Sequence, residues 1–480
     1  MEVWALKGID ICFVVFYMAM MLGIGIYTSR KQSNMETYYV AGRKLGTISI
    51  ACLWISCWIG GASVIGTSTK AYDMGITAIW YVGILAVGCG VFSLVFSKKV
   101  KKIGDHLENL TYPDFIESRY DHRCRFISTI CTLIGMIGVT ASQLVASGVI
   151  LNTITGWGNG ISFTVAAVVL ILYTALGGYL AVTYTDWVQV ALLMTGVIIA
   201  VPFAAKAIGG VGAIRVLPDS YFDVGAWGWP TIIAFALSTL LSFFTTMDSY
   251  TRCMAAKDAG TAKKGGLLAA VCILPIALCA TYEGLAAKVL IPDLPQGSNS
   301  LIQLILVTFP SGIKGLVITG IFAAIMSSAD IAILTASANV TRDIYQRYIN
   351  PKAKDKTIVR LGTVSSLIIG GISLLFAWMN PDIMDILLIT FTFLSAGLFI
   401  PTFFGFFWRR ASIKAAFYSM TLSMITVILW YVGQNQGWGV VFRIDALWPG
   451  LLVSAIVFFS LSLLRGQSPE EVEKINRFLS

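Results

Sequence analysis

Asp330 is the residue whose position first demands an explanation. It falls near the middle of an apolar run, 312–345, where an ionisable group costs several kcal/mol and so marks a candidate functional site. Ala324, Ser327 and Ser328 precede it on one helical face through their i, i+3, i+4 spacing. Two hydroxyls and the neighbouring backbone carbonyls make a hard-oxygen surface of the kind a small cation such as Na⁺ prefers. The alternative for serines alone is back-bonding to the preceding turn, which eases helix packing in membranes. The carboxylate favours the ion.

A second candidate is Trp54-Ile-Ser-Cys-Trp-Ile-Gly-Gly-Ala-Ser63. Gly60 and Gly61 sit near mid-span, where a helix unwinds only if its freed backbone lines a cavity; paired glycines also serve plain close packing. Trp58 beside them offers a π-face to a cationic or apolar solute, or else packs. Asp186, in Thr183-Tyr-Thr-Asp-Trp187, is expected at a helix N-terminus, as a dipole-stabilised cap or as an ion-handling group. Asp248, in Ser242-Phe-Phe-Thr-Thr-Met-Asp-Ser249, can pair with Arg252 four residues on. Glu283 is expected to pair with Lys288 and is given no role.

These residues need elements that hold them in hydrocarbon, and the composition supplies them. Of 480 residues 57% are hydrophobic and only 12% charged, with mean hydropathy +0.79. A soluble chain of this length carries about 25% charged residues, so a soluble enzyme and a nucleic-acid-binding protein are both excluded. Spans need roughly 20 apolar residues each. Thirteen are expected, at 8–28, 46–69, 75–96, 126–151, 160–180, 187–205, 231–254, 265–291, 312–345, 359–379, 382–407, 415–431 and 447–464. The chain reads as an all-α polytopic membrane protein, multi-pass in an inner or plasma membrane, without a cleavable signal peptide.

Orientation follows from the basic residues. With the N-terminus outside and the C-terminus cytoplasmic, Lys7, Lys70, Lys206, Arg215, Lys288, Lys314 and Arg443 fall outside, and the other 27 of 34 fall inside. One missed helix would invert every later loop, so this asymmetry supports the span order. The net charge of +9 is then a cytoplasmic rim. His106, His122 and nine scattered cysteines have no metal-ligand or redox spacing. No Walker pattern is present, and the tail 465–480 is too short for a signalling or catalytic module.

Several stretches resemble the sodium:solute symporter family: Tyr39-Val-Ala-Gly-Arg43, Tyr112-Pro-Asp-Phe-Ile116, Tyr173-Thr-Ala-Leu-Gly-Gly178, Tyr184-Thr-Asp-Trp-Val-Gln189, Ala323-Ala-Ile-Met-Ser-Ser-Ala-Asp330 and Asp343-Ile-Tyr345. The likeness covers nearly the whole chain, most weakly after Phe407, and is nearest the choline-transporter and proline-symporter-like branches. Trp58-Ile-Gly-Gly-Ala62, Gly66-Thr67, Ala71-Tyr72 and Leu172-Tyr-Thr174 match the choline branch. Where that branch places a further tryptophan in the seventh span, this chain has Met247, which leaves an aromatic box for a quaternary ammonium incomplete.

The resemblance implies the leucine-transporter fold: inverted five-helix repeats with discontinuous helices at the midplane. They would span 46–207 and 231–407, joined by the outer loop 208–230, with 1–45 before and 408–480 after. It implies a sodium site of the Ser56, Ile59 and Ala324 carbonyls with the Ser327 and Ser328 hydroxyls. Asp186 and Asp330 resemble residues used for sodium release or a second sodium. The expected solute site comprises Trp58, Gly60, Gly61, Ser63, Gln143, Thr246 and Asp248. The implied function is Na⁺-coupled import of a small polar solute, an amine or zwitterion of choline-like or amino-acid type, with proton coupling or a carboxylate substrate as alternatives. Its partners would be the solute, Na⁺ and the bilayer, with no nucleic acid, ATPase subunit or cofactor beyond the coupling ion.

Overall fold

The computed structural model describes residues 8–29, 40–155, 157–294, 299–379, 383–464 and 467–479; Lys7, Tyr39 and Asp382, named above, lie outside them. The described residues form helices and no strand, with one isolated bridge between Leu45 and Ala256. In chain order they are α1 (Gly8–Ser29), α2 (Thr47–Trp58), α3 (Gly61–Met74), α4 (Ile79–Val95), α5 (Ser97–His106), α6 (Tyr112–Arg119), α7 (His122–Thr155), α8 (Asn159–Ile208) and α9 (Trp229–Ser242). There follow α10 (Met247–Ala255), α11 (Ala259–Leu290), α12 (Ser300–Thr308), α13 (Ile313–Ala338), α14 (Asp355–Met379), α15 (Ile383–Phe407), α16 (Ile413–Gln436), α17 (Leu447–Leu464) and α18 (Pro469–Leu479).

Two apolar runs are broken in the middle. Between α2 and α3 the backbone leaves the helical region at Ile59 (φ −106°, ψ 71°) and extends at Gly60 (ψ 173°). Close approach requires both glycines. A Cβ on Gly60 would collide with the Ser328 hydroxyl and the Gln143 amide, and one on Gly61 with the Ile325 side chain. The break and the tight packing are thus one feature. Between α9 and α10 the chain bends by 42°. Each broken helix opens one of the two expected repeats, the arrangement that leaves half-helix ends inside the membrane.

Nine helices among the described residues are long and apolar enough to cross a bilayer, ten with α9 and α10 taken as one span; they do not confirm the exact count of thirteen. The spans expected at 160–180 and 187–205 both lie within α8, helical throughout, because the link 181–186 contains neither glycine nor proline to break it. Asp186 therefore stands inside a helix, not at its N-terminus, and the cap reading is corrected. The polar loop around 98–125 is also mostly helical, as α5 and α6.

Helix α13 sits at the centre, buried almost end to end and packed against α1, α2, α3, α7, α8 and α14. Its start is capped from another helix: buried Asp10 of α1 accepts from the Gly312 and Gly315 amides at 2.7 and 2.9 Å. This satisfies donors that a helix start otherwise leaves unpaired. Its far end continues as the π-helical stretch Asn339–Ile349, held by a buried ion network. Arg125 contacts Asp343 at 2.5 Å, Glu117 at 2.6 Å and Asp114 at 2.9 Å, while Arg342 reaches Asp114 at 3.0 Å. Burial opposes ionisation of Asp114, but Arg342, Arg125 and the Thr111 and Leu110 amides outweigh it and pull its pKa to about 2. The amphipathic α18 docks by Ile475 and Phe478, the latter 5.0 Å from the Phe406 ring.

Removing Arg125 leaves Asp343 buried without its salt-bridge partner, whereas Asp114 keeps Arg342 and Glu117 keeps Arg347; breaking a buried pair in this way typically costs about 3–5 kcal/mol. Arg125→Met is therefore expected to lower the Tm in detergent far more than Arg123→Met at an exposed neighbour. Pairing it with Asp343→Asn should recover part of the loss. Equal melting of the two single variants would show that the network does not hold the end of α13.

Candidate functional site

The end of α2 faces the middle of α13. Ser328 donates its hydroxyl to the Ser56 carbonyl at 2.6 Å, and Ser327 contacts the same oxygen at 3.2 Å and the Ala324 carbonyl at 2.9 Å. From the other side, the Ser56 hydroxyl donates to Asp186 Oδ2 at 2.7 Å, while Asp186 Oδ1 has no hydrogen-bond partner among the described residues. Ile59 closes α2, its N–H bonded to the Ile55 carbonyl at 2.7 Å. All of these residues are buried. Ser56, Ala324, Ser327, Ser328 and Asp186 thus converge, as a cluster of carbonyl, hydroxyl and carboxylate oxygens with one acceptor unsatisfied. Such a donor set suits a hard monovalent cation.

Asp330 lies one turn further along α13. It accepts the Thr174 hydroxyl of α8, and nearby Gln189 donates to the Tyr17 hydroxyl at 2.7 Å. Neither Thr174 nor Tyr17 had been given a role from the sequence. Asp330 and Asp186 therefore belong to one polar zone between α8 and α13, held by hydroxyl and amide groups.

On the opposite side of the α2–α3 break, Trp58, Ser63, Gln143, Thr246 and Asp248 line a central cavity with Cys57, Tyr81, Leu85, Met136, Val139, Leu387 and Phe391. Gly60 and Gly61, also expected at the solute site, are not among the lining residues; they pack against Gln143, Ser328 and Ile325 instead. Phe243 stacks on one face of Trp58, with ring centroids 3.7 Å apart and planes 13° apart, and Phe391 tilts in at 5.9 Å. The indole is thus less open than an unpartnered π-face, but its buried N–H has no acceptor among the described residues. Met247 is buried, so no second tryptophan completes a box here.

Asp248 and Arg252 do meet: Arg252 lies 3.5 Å from the carboxylate and donates to the Asp248 carbonyl at 2.7 Å. Glu283 and Lys288 do not. Lys288 donates to the Pro292 carbonyl at 3.0 Å and lies over the Tyr72 ring. Glu283 is fully buried, with neither oxygen hydrogen-bonded among the described residues. Five residues separate the pair, which turns the two side chains to different faces of α11.

The pattern of the sodium:solute symporter family matches residues 38–423. This chain belongs to that family. It is 26% identical over 468 residues to the osmoregulated proline transporter OpuE of Bacillus subtilis (strain 168), covering 94% of this chain and 93% of that one. It is 23% identical over 467 residues to the sodium/pantothenate symporter of Escherichia coli (strain K12), covering 93% and 94%. A solved Na⁺-coupled sialic acid symporter in a substrate-bound, outward-open state aligns with TM-score 0.81 at 20% identity, covering 96% of this chain and 98% of that chain. The chain is accordingly a membrane transporter and not an enzyme, and its fold is that of the leucine-transporter type.

The sequence reading missed Thr335, whose hydroxyl donates to Asp248 Oδ1 at 3.0 Å. It lies seven residues beyond Ser328, two helical turns along the same face, so the signal was present. Phe243 and Phe391 gave none, because aromatics are common throughout these apolar runs.

The Gly61–Ile325 contact can be tested by a double-mutant cycle. Gly61→Ala is expected to cost about 1–3 kcal/mol by overpacking, read as a lowered Tm and reduced transport. Ile325→Ala in the same chain should recover part of it. Strictly additive losses would show that the two helices do not touch there.

Proposed function

We propose that this symporter couples inward movement of Na⁺ to import of a small solute bearing an amine, most simply a zwitterion. The observation that carries the reading is the convergence of Ser327, Ser328 and Asp186 on Ser56, around the carbonyl that the break in α2–α3 exposes. In this reading Na⁺ is held by the Ser56, Ile59 and Ala324 carbonyls and the Ser327 and Ser328 hydroxyls. Asp186 receives it on release, and Asp330 serves the same exit or a second ion. The N-terminus lies outside, the C-terminus in the cytoplasm, and the repeats span 46–207 and 231–407.

The solute occupies the cavity lined by Trp58, Ser63, Gln143, Thr246 and Asp248, with Gly60 and Gly61 at the helix break beside it. Asp248 supplies negative charge for an amine, and the unpaired indole N–H of Trp58 supplies a donor for an acceptor on the solute, such as a carboxylate. Relatives named for proline and for pantothenate show why membership of the family leaves the solute open. An inside-negative potential contributes about 2.3 kcal/mol per charge per 100 mV, and the Na⁺ gradient adds to it. Bound sodium pins α2 to α13 and shapes the cavity; the solute then permits occlusion and opening to the inside.

Sodium-dependent stabilisation tests the ion site without a known solute. The wild type should melt higher in NaCl than in KCl. Ser327→Ala or Ser328→Ala removes one oxygen at a cost of about 1–2 kcal/mol, raising the half-saturating sodium concentration roughly 5- to 30-fold. Asp186→Asn should slow turnover while abundance stays normal. Unchanged sodium dependence in both serine variants would refute the assignment, and sodium-independent uptake abolished by an uncoupler would point to protons.

Trp58 can be examined separately. Trp58→Phe preserves the stack on Phe243 and deletes the N–H; Trp58→Leu deletes both. Loss of solute affinity in both variants supports hydrogen bonding by the indole. Retention in Phe alone would show that the ring face is what the solute uses.

A further inference from the structure

Asp248 touches more than the cavity. It stands in the first turn of α10, with the Cys57 thiol of α2 beside it. Helix α10 is fastened to α2 at both ends of their contact. Arg252 Nε donates to the Leu53 carbonyl at 2.8 Å. Leu45 N–H donates to the Ala255 carbonyl and Lys257 N–H to the Leu45 carbonyl, each at 3.0 Å. The two half-helices therefore form one mechanical unit. Two polar links join this unit to the buried helix α13: the serine hydroxyls on the Ser56 carbonyl, and the Thr335 hydroxyl on Asp248 Oδ1. The first link lies in the ion cluster. The second lies against the solute cavity.

We propose that Asp248 is a solute-operated latch: an N–H-bearing ammonium of the solute takes the place of the Thr335 hydroxyl on Oδ1, so that solute binding detaches α10 from α13. The inference rests on the central cavity being the solute site. A hydrogen bond to the Asp248 carboxylate from an ammonium is roughly twice as strong as one from a neutral donor, so the exchange favours the solute over the threonine, by a margin that Arg252 at 3.5 Å from the same oxygen reduces. A ligand shifts a conformational equilibrium only by its differential affinity for the two states. Competition for one oxygen provides that difference, because the site binds the amine fully only when the latch is open.

The same geometry selects among amines. A quaternary ammonium has no N–H to place on Oδ1 and depends instead on aromatic walls. Here Phe243 covers one face of Trp58 at 3.7 Å, and buried Met247 precedes Asp248. Leu85, Val139 and Leu387 complete an apolar lining, against which a compact hydrocarbon body would pack once the latch opens. The favoured class is a small primary or secondary amine, not its fully methylated analogue.

The test uses the purified full chain in NaCl with matched probes: glycine and glycine betaine, L-proline and proline betaine, ethanolamine and choline. Within a pair, the N–H member is expected to raise the Tm at a concentration at least tenfold lower than the quaternary member. Thr335→Val, which keeps the shape and removes the hydroxyl, should lower that half-saturating concentration several-fold, whereas Thr335→Ser should not. Asp248→Asn should erase the preference. A solute-free arm keeps Cys57 as the sole cysteine: Thr335→Val should speed its alkylation several-fold in liposomes. A quaternary member that binds equally or better, stabilisation by sugars or carboxylates alone, or unchanged alkylation of Cys57 would each overturn the latch. Stabilisation by NaCl over KCl without solute reports on the ion site separately. Its absence, with amine selectivity intact, would overturn sodium coupling and leave the latch standing.

Discussion

One backbone oxygen, the carbonyl of Ser56, organises the middle of this protein. Inside a regular helix that oxygen would be taken by the amide four residues on, which is Gly60. Here the backbone extends at Gly60, and two serine hydroxyls from α13 take the carbonyl instead. The exchange is possible only because the approaching surfaces carry almost no side chain. Gly60 lies against Ser328 and Gln143, and Gly61 against Ile325. A polar backbone group in hydrocarbon must find a partner within the protein, so the break, the glycines and the serines stand or fall together.

The same rule accounts for the charged groups around that point. Asp330 has a hydroxyl from Thr174, Asp248 one from Thr335, and Asp186 one from Ser56. Each carboxylate lies at a junction between helices, where a hydroxyl from one reaches an acid on another. Small hydroxyl residues suit this task, since they donate a hydrogen bond without adding a second charge or much volume. Arg252 pairs with the Asp248 carboxylate at 3.5 Å and also donates to the backbone carbonyls of Leu53 and Asp248, which ties α2 to α10. Glu283 is the exception, buried without such a donor among the described residues.

How much of this could be read in the sequence depended on whether the signal was local. Asp330 with its serines, the Gly60–Gly61 pair and Asp248 with Arg252 were legible because a charge or glycine inside an apolar run is conspicuous by itself. The helical class followed from composition for the same reason. Asp186 was misplaced because Thr183-Tyr-Thr-Asp reads as a capping loop, while α8 continues through it with no breaking residue. Its actual partner, Ser56, lies 130 positions away, beyond any periodicity. Thr335 was visible on the face of Ser328, but nothing local distinguishes it from the threonines that back-bond elsewhere in the bundle.

Under the proposed site assignments, the two links between the α2–α10 unit and α13 would let one ion and one solute share a single conformational change. Suppose only the serine link existed: sodium would hold the unit in place, and a solute binding elsewhere would have no lever on it. Suppose only the Asp248 link existed: the solute alone would release the unit, and the gradient would do no work. With both, and with Arg252 transmitting position between α10 and α2, neither contact can rearrange without loading the other. A coupling of about 1.4 kcal/mol between them already changes each ligand's affinity tenfold, and by linkage the effect is reciprocal. The hydrogen bonds at Ser56 and Asp248 are each of that order. The coupling needs no long pathway, only two short contacts on a pair of half-helices tied together by Arg252.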